Sequence, residues 1–276
     1  MSVAEEKPAV DAIMQKVLEA TPFQLTTDGG VEAARQRFRD VPRREVHPEV
    51  ASQDRTIEGP AGPIPIRVYR PPTAGESAPP VVVYIHGGGW VVGDLDTYDG
   101  IARRHVVGTG AVVVSVDYRL APEHPYPAAV EDAWAATRWV AAHAGELGVD
   151  ADRLAIAGDS AGGNLAAVVS LLARDAGGPP IRFQLLWYPS TTFDTSLPSF
   201  TENAHAPILD IDGCKGCTRW YIGDMDLTDM PATLAPARAE NLAGLPPAYI
   251  AVAGHDPLRD DGARYAGLLV AAGFPV

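Results

Sequence analysis

Cysteine is scarce in this sequence, whose 276 residues include only Cys214 and Cys217. A structural zinc site needs about four ligands, and no second Cys/His pair lies at a suitable spacing. A redox Cys-x-x-Cys belongs at the start of a thioredoxin-like helix, and that context is also missing. We therefore interpret the pair as a chance spacing on a helix, and we expect neither a metal nor another cofactor.

Positive charge and long apolar runs are scarce as well. The formal net charge is −13, and no cluster of five or more basic residues occurs, so polyanions and anionic membrane surfaces would be repelled. No apolar run approaches the roughly 18 residues of a membrane helix, and residues 1–7 lack the basic-then-apolar order of a signal peptide. We expect a soluble, cytoplasmic protein that binds neither nucleic acid nor membranes.

The apolar patterning that is present predicts an α/β architecture. Apolar residues make up 46% of the chain, enough for one large core. Continuous apolar runs suit parallel strands buried on both faces, and they occur at residues 81–85, 112–116, 154–157, 183–187 and 248–252. Helical stretches separate most of these runs, which favours strand–helix alternation with right-handed crossovers.

Two regions fall outside this alternation. Apolar periodicity predicts two short amphipathic helices within residues 1–50, and an insertion at 189–246 is rich in Thr, Asp and Pro. A structureless loop of that length is improbable inside a compact domain. We predict that both regions form a helical cap over the carboxyl edge of the sheet, where ligands bind in such folds.

A strand-to-helix turn that presents a serine is predicted at residues 158–162, which read Gly-Asp-Ser-Ala-Gly. Glycines two residues before and after Ser160 let a strained turn fold back without clashes. The hydroxyl would lie near a helix N-terminus, where free amides and the helix dipole favour negative charge. Ser160 is therefore the candidate nucleophile for acyl transfer, although the pentapeptide alone recurs by chance.

Acyl transfer from a serine also needs hydrogen-bond donors for an oxyanion. Residues 86–90, His-Gly-Gly-Gly-Trp, follow the run at 81–85, and three consecutive glycines can turn their amides toward one point. The predicted oxyanion hole consists of the amides of Gly88, Gly89 and Ala161. His86 and Gly87 would support the loop, and His86 is poorly placed to act as a base. An ordinary glycine-rich turn is the alternative.

The acid of a catalytic triad is predicted at Asp256, just after the run at 248–252. It lies downstream of the serine and near the carboxyl end of a predicted strand, where such an acid belongs. The alternative is a helix start, with Asp256 as N-cap and Pro257 at the first helical position. His255 adjoins Asp256 in the chain, so it cannot easily bond that carboxylate and also touch Ser160.

Four motifs together resemble the hormone-sensitive-lipase-like (family IV) esterases of the α/β-hydrolase superfamily, and they lie at residues 86–90, 117–125, 158–164 and 256–260. The resemblance implies an α/β-hydrolase fold over residues 51–276, with a mostly parallel sheet flanked by helices and covered by a helical cap. It also implies a carboxylesterase with a Ser-His-Asp triad, no metal and a short-chain, small-molecule ester substrate. A homodimer is kept as a hypothesis. Aromatic residues predicted to line the pocket are Trp90, Tyr188 and Trp220, although core packing explains each almost as well.

The pattern breaks after the acid. The family's triad histidine lies a short helix and a strand beyond it, whereas all histidines of this sequence precede Asp256: His47, His86, His105, His124, His143, His205 and His255. The last strand and the closing helix are also missing from the pattern. We expect a truncated esterase whose 276 residues turn over little substrate without the histidine. His205, in the predicted cap, is only a weak candidate base.

Two alternatives stay open at this point. A receptor-like, non-catalytic binding protein on a hydrolase scaffold would also lack the histidine, but it would have no need of Ser160, Asp256 and the glycine loop. Amide hydrolysis or deacetylation would use the same machinery and differ only in the leaving group.

Overall fold

The computed structural model describes residues 9–72 and 77–276. The strands are β1 Ala51–Gly59, β2 Gly62–Arg70, β3 Val81–Ile85, β4 Val112–Val116, β5 Leu154–Asp159, β6 Ile181–Trp187 and β7 Ala248–Ala251. The helices are α1 Ala12–Ala20, α2 Val31–Asp40, α3 Asp99–Thr109, α4 Ala128–Ala142, α5 Ala144–Leu147, α6 Ala161–Asp175, α7 Pro198–Glu202, α8 Ile211–Ile222 and α9 Arg259–Ala271. Residues 1–7, whose sequence lacks a signal-peptide pattern, lie outside the described residues.

The seven strands form one sheet in the order β1-β2-β4-β3-β5-β6-β7. The pairs β1–β2 and β2–β4 are antiparallel, and every pairing from β4 through β7 is parallel. The mostly parallel sheet predicted from the apolar runs is confirmed. Because Ile85 at the end of β3 pairs with Gly158 near the end of β5, the loops that follow these two strands start side by side.

The central strand β3 shows why continuous apolar runs build this sheet. All five of its residues are buried. Val81, Val83 and Ile85 belong to the main core with α4 and α6, whereas Val82 and Tyr84 belong to a second core with α3. Alternate side chains leave opposite faces of a strand, so a strand covered on both faces needs apolar residues at every position. Burying one valine or isoleucine contributes about 1.5–3 kcal/mol.

The insertion at 189–246 folds into helices α7 and α8 and two short 3₁₀ turns, in contact with the N-terminal segment. The backbone N–H of Leu25 donates to the carbonyl of Ile208 at 2.7 Å. The Gln24 amide donates to the Asp210 carboxylate, which also caps the N-terminus of α8. We call residues 9–50 together with 189–246 the cap, and its predicted bounds stay a prediction.

Element bounds shift by a few residues from those expected. Strands β3 and β4 match their apolar runs, whereas β5 continues to Asp159. Helix α3 shows no apolar stripe in the sequence, because it buries only Ala102 and Val106. In the described residues β7 is an edge strand, with Tyr249 53% exposed.

Candidate active site

Ser160 lies in the predicted turn between β5 and α6, with φ 53° and ψ −118°. A positive φ at a residue other than glycine costs of order 1–3 kcal/mol and persists only where the surroundings enforce it. Here close packing enforces it, because a Cβ on Gly162 would overlap the carbonyl oxygen of Ile85 and a Cβ on Gly158 would overlap that of Gly162. The strand, turn and helix expected around the serine are therefore present.

The loop of residues 86–90, here called the glycine loop, runs beside this turn. Gly88 and Gly89 have φ values of 105° and 60°, which glycine adopts without strain. In the described part of the chain, the N–H groups of Gly88, Gly89 and Ala161 have no hydrogen-bond acceptor. Three unpaired donors beside Ser160 suit a negatively charged oxygen.

Asp159 joins the glycine loop to the serine turn, a role that sequence reasoning missed. Its carboxylate accepts hydrogen bonds from the Tyr84 hydroxyl at 2.6 Å, the Gly87 N–H at 3.0 Å and the Tyr98 hydroxyl at 3.3 Å. Burial raises the pKa of this carboxyl, and the three donors oppose that shift. The available signal was an acidic residue directly before the serine, at the end of a buried strand.

His86 supports the loop from the opposite side. Its ring is fully buried and stacks on Tyr118 with ring centres 4.3 Å apart. Its Nδ1 donates to the Gly87 carbonyl at 2.8 Å, and the Tyr118 hydroxyl donates to the His86 carbonyl at 2.9 Å. Burial lowers the pKa of His86 to about 4, so the ring is neutral at pH 7. This environment fits the structural interpretation rather than that of a base.

Asp256 lies in the loop between β7 and α9 and borders a cavity that also reaches Ser160. Its Oδ1 accepts from the Leu258 N–H at 2.8 Å. Burial raises the pKa of Asp256 to about 6, and the nearby Asp261 adds to this. Asp256 also caps the turn that leads into α9, because its carbonyl accepts from the Arg259 N–H at 3.1 Å. The helix itself begins at Arg259, with Leu258 as its N-cap, two residues later than the alternative expected.

Two cavities meet at Ser160. The first, here called the cap cavity, measures about 340 Å³ and lies under α8, and its lining includes Gly89, Trp90, Ser160, Ala161, Phe193, Phe200, Ile222 and Met225. The second, the acid cavity, measures about 310 Å³ and is lined by Gly88, Ser160, Tyr188, His255, Asp256 and neighbouring apolar residues. Nucleophile and oxyanion donors thus border both cavities, and the acid borders one.

The pocket predictions for aromatic residues have mixed outcomes. Trp90 lines the cap cavity, where it stacks on Tyr221 with ring centres 4.4 Å apart, and Tyr188 lines the acid cavity. The prediction for Trp220 is wrong, because this residue lines neither cavity and packs against the main core. Its neighbour on α8, Tyr221, is the ring that stacks on Trp90.

Both cysteines lie on α8, line the cap cavity and are free thiols. Burial raises the pKa of Cys217 to about 12 and also raises that of Cys214. The thiols are therefore protonated near pH 7 and poor metal ligands. Across residues 9–72 and 77–276, no group of three or more His, Cys, Asp or Glu side chains is arranged to hold a metal ion.

All seven histidines lie within the described residues, and none hydrogen-bonds to Ser160 or Asp256. His255 lines the acid cavity, and with His205 it also lines a small surface pocket. The Ser160 hydroxyl has no partner among the described residues.

As far as the chain is described, none of its helices is both long and apolar enough to cross a bilayer.

Comparisons with known proteins agree with this architecture. A family profile described as alpha/beta hydrolase fold matches residues 82–276. The chain is 65% identical to esterase LipI of Mycobacterium tuberculosis, over 100% of this chain and 86% of that protein. It is 56% identical to carboxylesterase NlhH of the same species, over 98% and 86%. A solved structure of a hyperthermophilic esterase from the archaeon Pyrobaculum calidifontis matches 97% of this chain and 87% of its own, with 40% sequence identity and a TM-score of 0.86.

Proposed function

Because the chain belongs to the hormone-sensitive-lipase-like carboxylesterases of the α/β-hydrolase superfamily, we propose that it hydrolyses short-chain esters through an acyl-enzyme on Ser160. The observation that carries this proposal is the strained Ser160 turn facing the unpaired amides of the glycine loop. The size of the cap cavity, about 340 Å³, supports a small substrate, because it lies at the small end of ligand pockets. The relatives are named esterases, so a receptor-like alternative has no support among them.

In this mechanism the Ser160 oxygen attacks the ester carbonyl as a base removes its proton. The carbonyl oxygen becomes an oxyanion and accepts hydrogen bonds from the amides of Gly88, Gly89 and Ala161. Donors fixed in place before the reaction stabilise this charge without reorganisation, and losing one such donor typically costs about 10²–10³-fold in kcat. The alcohol then leaves with the proton, and water cleaves the acyl-enzyme by the reverse sequence.

Asp159 and His86 act as positioning residues in this proposal. The Asp159 carboxylate accepts from the Gly87 N–H at 3.0 Å, and the His86 ring donates to the Gly87 carbonyl. Both side chains are buried, so their hydrogen bonds have little competition from water. They keep the oxyanion donors aimed at one point while the substrate reacts.

The base is proposed to be a histidine that these 276 residues do not include. Asp256 would accept the N–H of that ring, fix its tautomer and stabilise its cation. Its position on the acid cavity beside Ser160 supports this role. The absence of any hydrogen bond from the chain's own histidines to Ser160 or Asp256, all within the described residues, argues against each of them. A homodimer and a cytoplasmic location stay predictions.

Hydrolysis of p-nitrophenyl butyrate with added imidazole tests nucleophile and base together. The 276-residue protein should turn over slowly, and imidazole that diffuses into the acid cavity should accelerate it several-fold. Ser160→Ala should remove this acceleration and leave only the rate of imidazole in free solution. Equal rates for the two proteins in every condition would show that Ser160 is not the nucleophile.

A double variant, His205→Gln with His255→Gln, is the matched control for the base. We expect it to keep both the slow rate and the imidazole response, because neither ring bonds to the serine or the acid. Fast turnover without imidazole that this double variant abolishes would place the base within the chain. The esterase proposal would survive that result, and the proposed source of the base would not.

A further inference from the structure

Two positively charged side chains line the cap cavity. Lys215 and Arg219 lie four residues apart on α8, so their side chains are neighbours on one face of the helix. Both line the cap cavity together with Ser160, and both are exposed. Because both residues are exposed and also line the cavity, we place their side chains at the solvent-facing end of the cap cavity, here called its mouth.

Within the described residues, the side chains of Lys215 and Arg219 make no hydrogen bond and no ion pair. Most arginines of the chain are paired, as Arg119 is with the buried Asp132 at 2.8 Å. Two like charges at this helical spacing repel each other. Acidic residues that could neutralise them are plentiful in the chain, whose net charge is −13. Asp212 lies one turn before Lys215 on α8, but no carboxylate in the described residues forms an ion pair with either cation.

The other ionisable groups on the cavity lining do not supply that counter-charge. Asp261 is fully buried, and its Oδ1 accepts from the N–H groups of Thr191 and Thr192, both at 2.6 Å. Burial raises the pKa of Asp261, which disfavours its charged form. The two cysteine thiols are protonated, as described above. Between mouth and serine the lining is largely apolar, with Phe193, Phe200, Ile222 and Met225.

We propose that the cap cavity takes ester groups that end in a carboxylate, bound at the mouth by Lys215 and Arg219. The substrate class would be half-esters of dicarboxylic acids and related esters, in which an apolar chain separates the reacting carbonyl from an anionic end. The inference deepens the proposed esterase function and rests on it for the position of the carbonyl. The recognition itself requires only the cavity and the two cations.

Binding of unreactive analogues tests the inference without depending on turnover. The probes are the N-(4-nitrophenyl) monoamide of adipic acid and the matching compound in which a carboxamide replaces the carboxylate. Isothermal titration calorimetry on the 276-residue protein should give about fivefold tighter binding of the carboxylate at low salt, the range of two partly exposed ion pairs. The preference should shrink toward unity at about 1 M NaCl, where charges are screened within about 3 Å.

Two double variants separate a local contact from the overall field. Lys215→Gln with Arg219→Gln should abolish the preference and leave the affinity for the carboxamide unchanged. Arg44→Gln with Arg104→Gln removes the same two charges from exposed residues that line neither cavity at Ser160, and it should keep the preference.

Equal affinity of the wild type for both probes, or no binding of either, would overturn the inference. Loss of the preference in both double variants would also overturn it, since the net charge would then be the cause. The butyrate assay reports separately on Ser160. Tighter binding of the carboxylate probe without serine-dependent hydrolysis would contradict the esterase proposal but would still support carboxylate binding at Lys215 and Arg219.

Discussion

Replacing Asp256 with asparagine should make the protein more stable near neutral pH. The Asp256 carboxyl is partly buried, and this raises its pKa to about 6, whereas an aspartate in an unfolded chain has a pKa of about 3.9. Above pH 6 the folded protein therefore holds a charge that burial disfavours. The asparagine side chain would keep an acceptor for the Leu258 N–H, now 2.8 Å from Oδ1, without that charge.

The size of the effect follows from the two pKa values of Asp256. Their difference corresponds to about 3 kcal/mol of stability lost when the folded protein ionises. The Leu258 hydrogen bond is already part of this difference, because it is one of the causes that set the pKa of Asp256 in the folded protein. The net gain from Asp256→Asn is therefore about 3 kcal/mol at pH 7.5, or roughly 8 °C in Tm for a chain of this size.

The stability difference between Asp256→Asn and wild type should change with pH in a direction that the two pKa values fix. Well below pH 4, both the folded and the unfolded wild type hold the Asp256 proton, so wild type and variant should be about equally stable. Between pH 4 and 6 the folded state binds more protons than the unfolded state, so wild-type stability falls as pH rises. The advantage of the variant should grow through this window and level off above pH 6.

Urea unfolding at several pH values between 4 and 7.5 measures this advantage. The matched control is Asp224→Asn, an exposed aspartate without a hydrogen bond in the described residues, which should change stability by less than about 0.5 kcal/mol at every pH. An Asp256→Asn protein that is less stable than wild type, or an advantage that ignores pH, would refute the reasoning. The same variant should lose the imidazole-stimulated activity, since the acid is gone.

Three further substitutions probe the serine turn. Gly162→Ala should destabilise the fold by about 3 kcal/mol in urea unfolding, since its new methyl overlaps the Ile85 carbonyl oxygen. Tyr84→Phe should cost about 1–3 kcal/mol in the same measurement and lower kcat more than it changes KM, because Asp159 loses its 2.6 Å hydrogen bond. Ser160→Gly should raise stability by about 1 kcal/mol, because glycine relieves the positive φ.

Each of these has a matched control. Gly267→Ala on α9, where an added methyl meets nothing within 4 Å, should be neutral or stabilising. Tyr249→Phe removes a hydroxyl from a half-exposed ring and should leave stability and kinetics unchanged. Ser160→Ala keeps the Cβ, so it should lack the stability gain of Ser160→Gly. Equal stabilities within any of the three comparisons would contradict the contact assigned to that residue.

The sequence predicts those parts of the fold that depend on residues close together in the chain. The strands β3 and β4 follow from apolar runs that only a doubly covered strand requires, and the serine turn follows from the spacing of Gly158 and Gly162 around Ser160. The two strands and the serine turn depend on residues that are close in the sequence, so the local sequence is enough to predict them. The relation between the turn and the glycine loop then follows from adjacent parallel strands.

Features set by packing between distant segments could not be predicted in this way. Whether Trp220 faces the cap cavity or the core depends on the rotation of α8 about its axis. That rotation is fixed where Gly213 and Gly216 pack closely against Leu25 and Thr27. The role of Asp159 depends likewise on tyrosines from two other elements. Neither contact leaves a periodic signal in the chain.

The central claim is that Ser160 forms the acyl-enzyme. Its most direct test is acid quenching of the protein during turnover of p-nitrophenyl butyrate with imidazole, followed by peptide mapping for a butyryl group. The account predicts a butyryl group on the peptide that contains Ser160, and none at that position in Ser160→Ala. A butyryl group on Cys214 or Cys217, which line the same cavity, or turnover that leaves the Ser160 peptide unmodified, would contradict it.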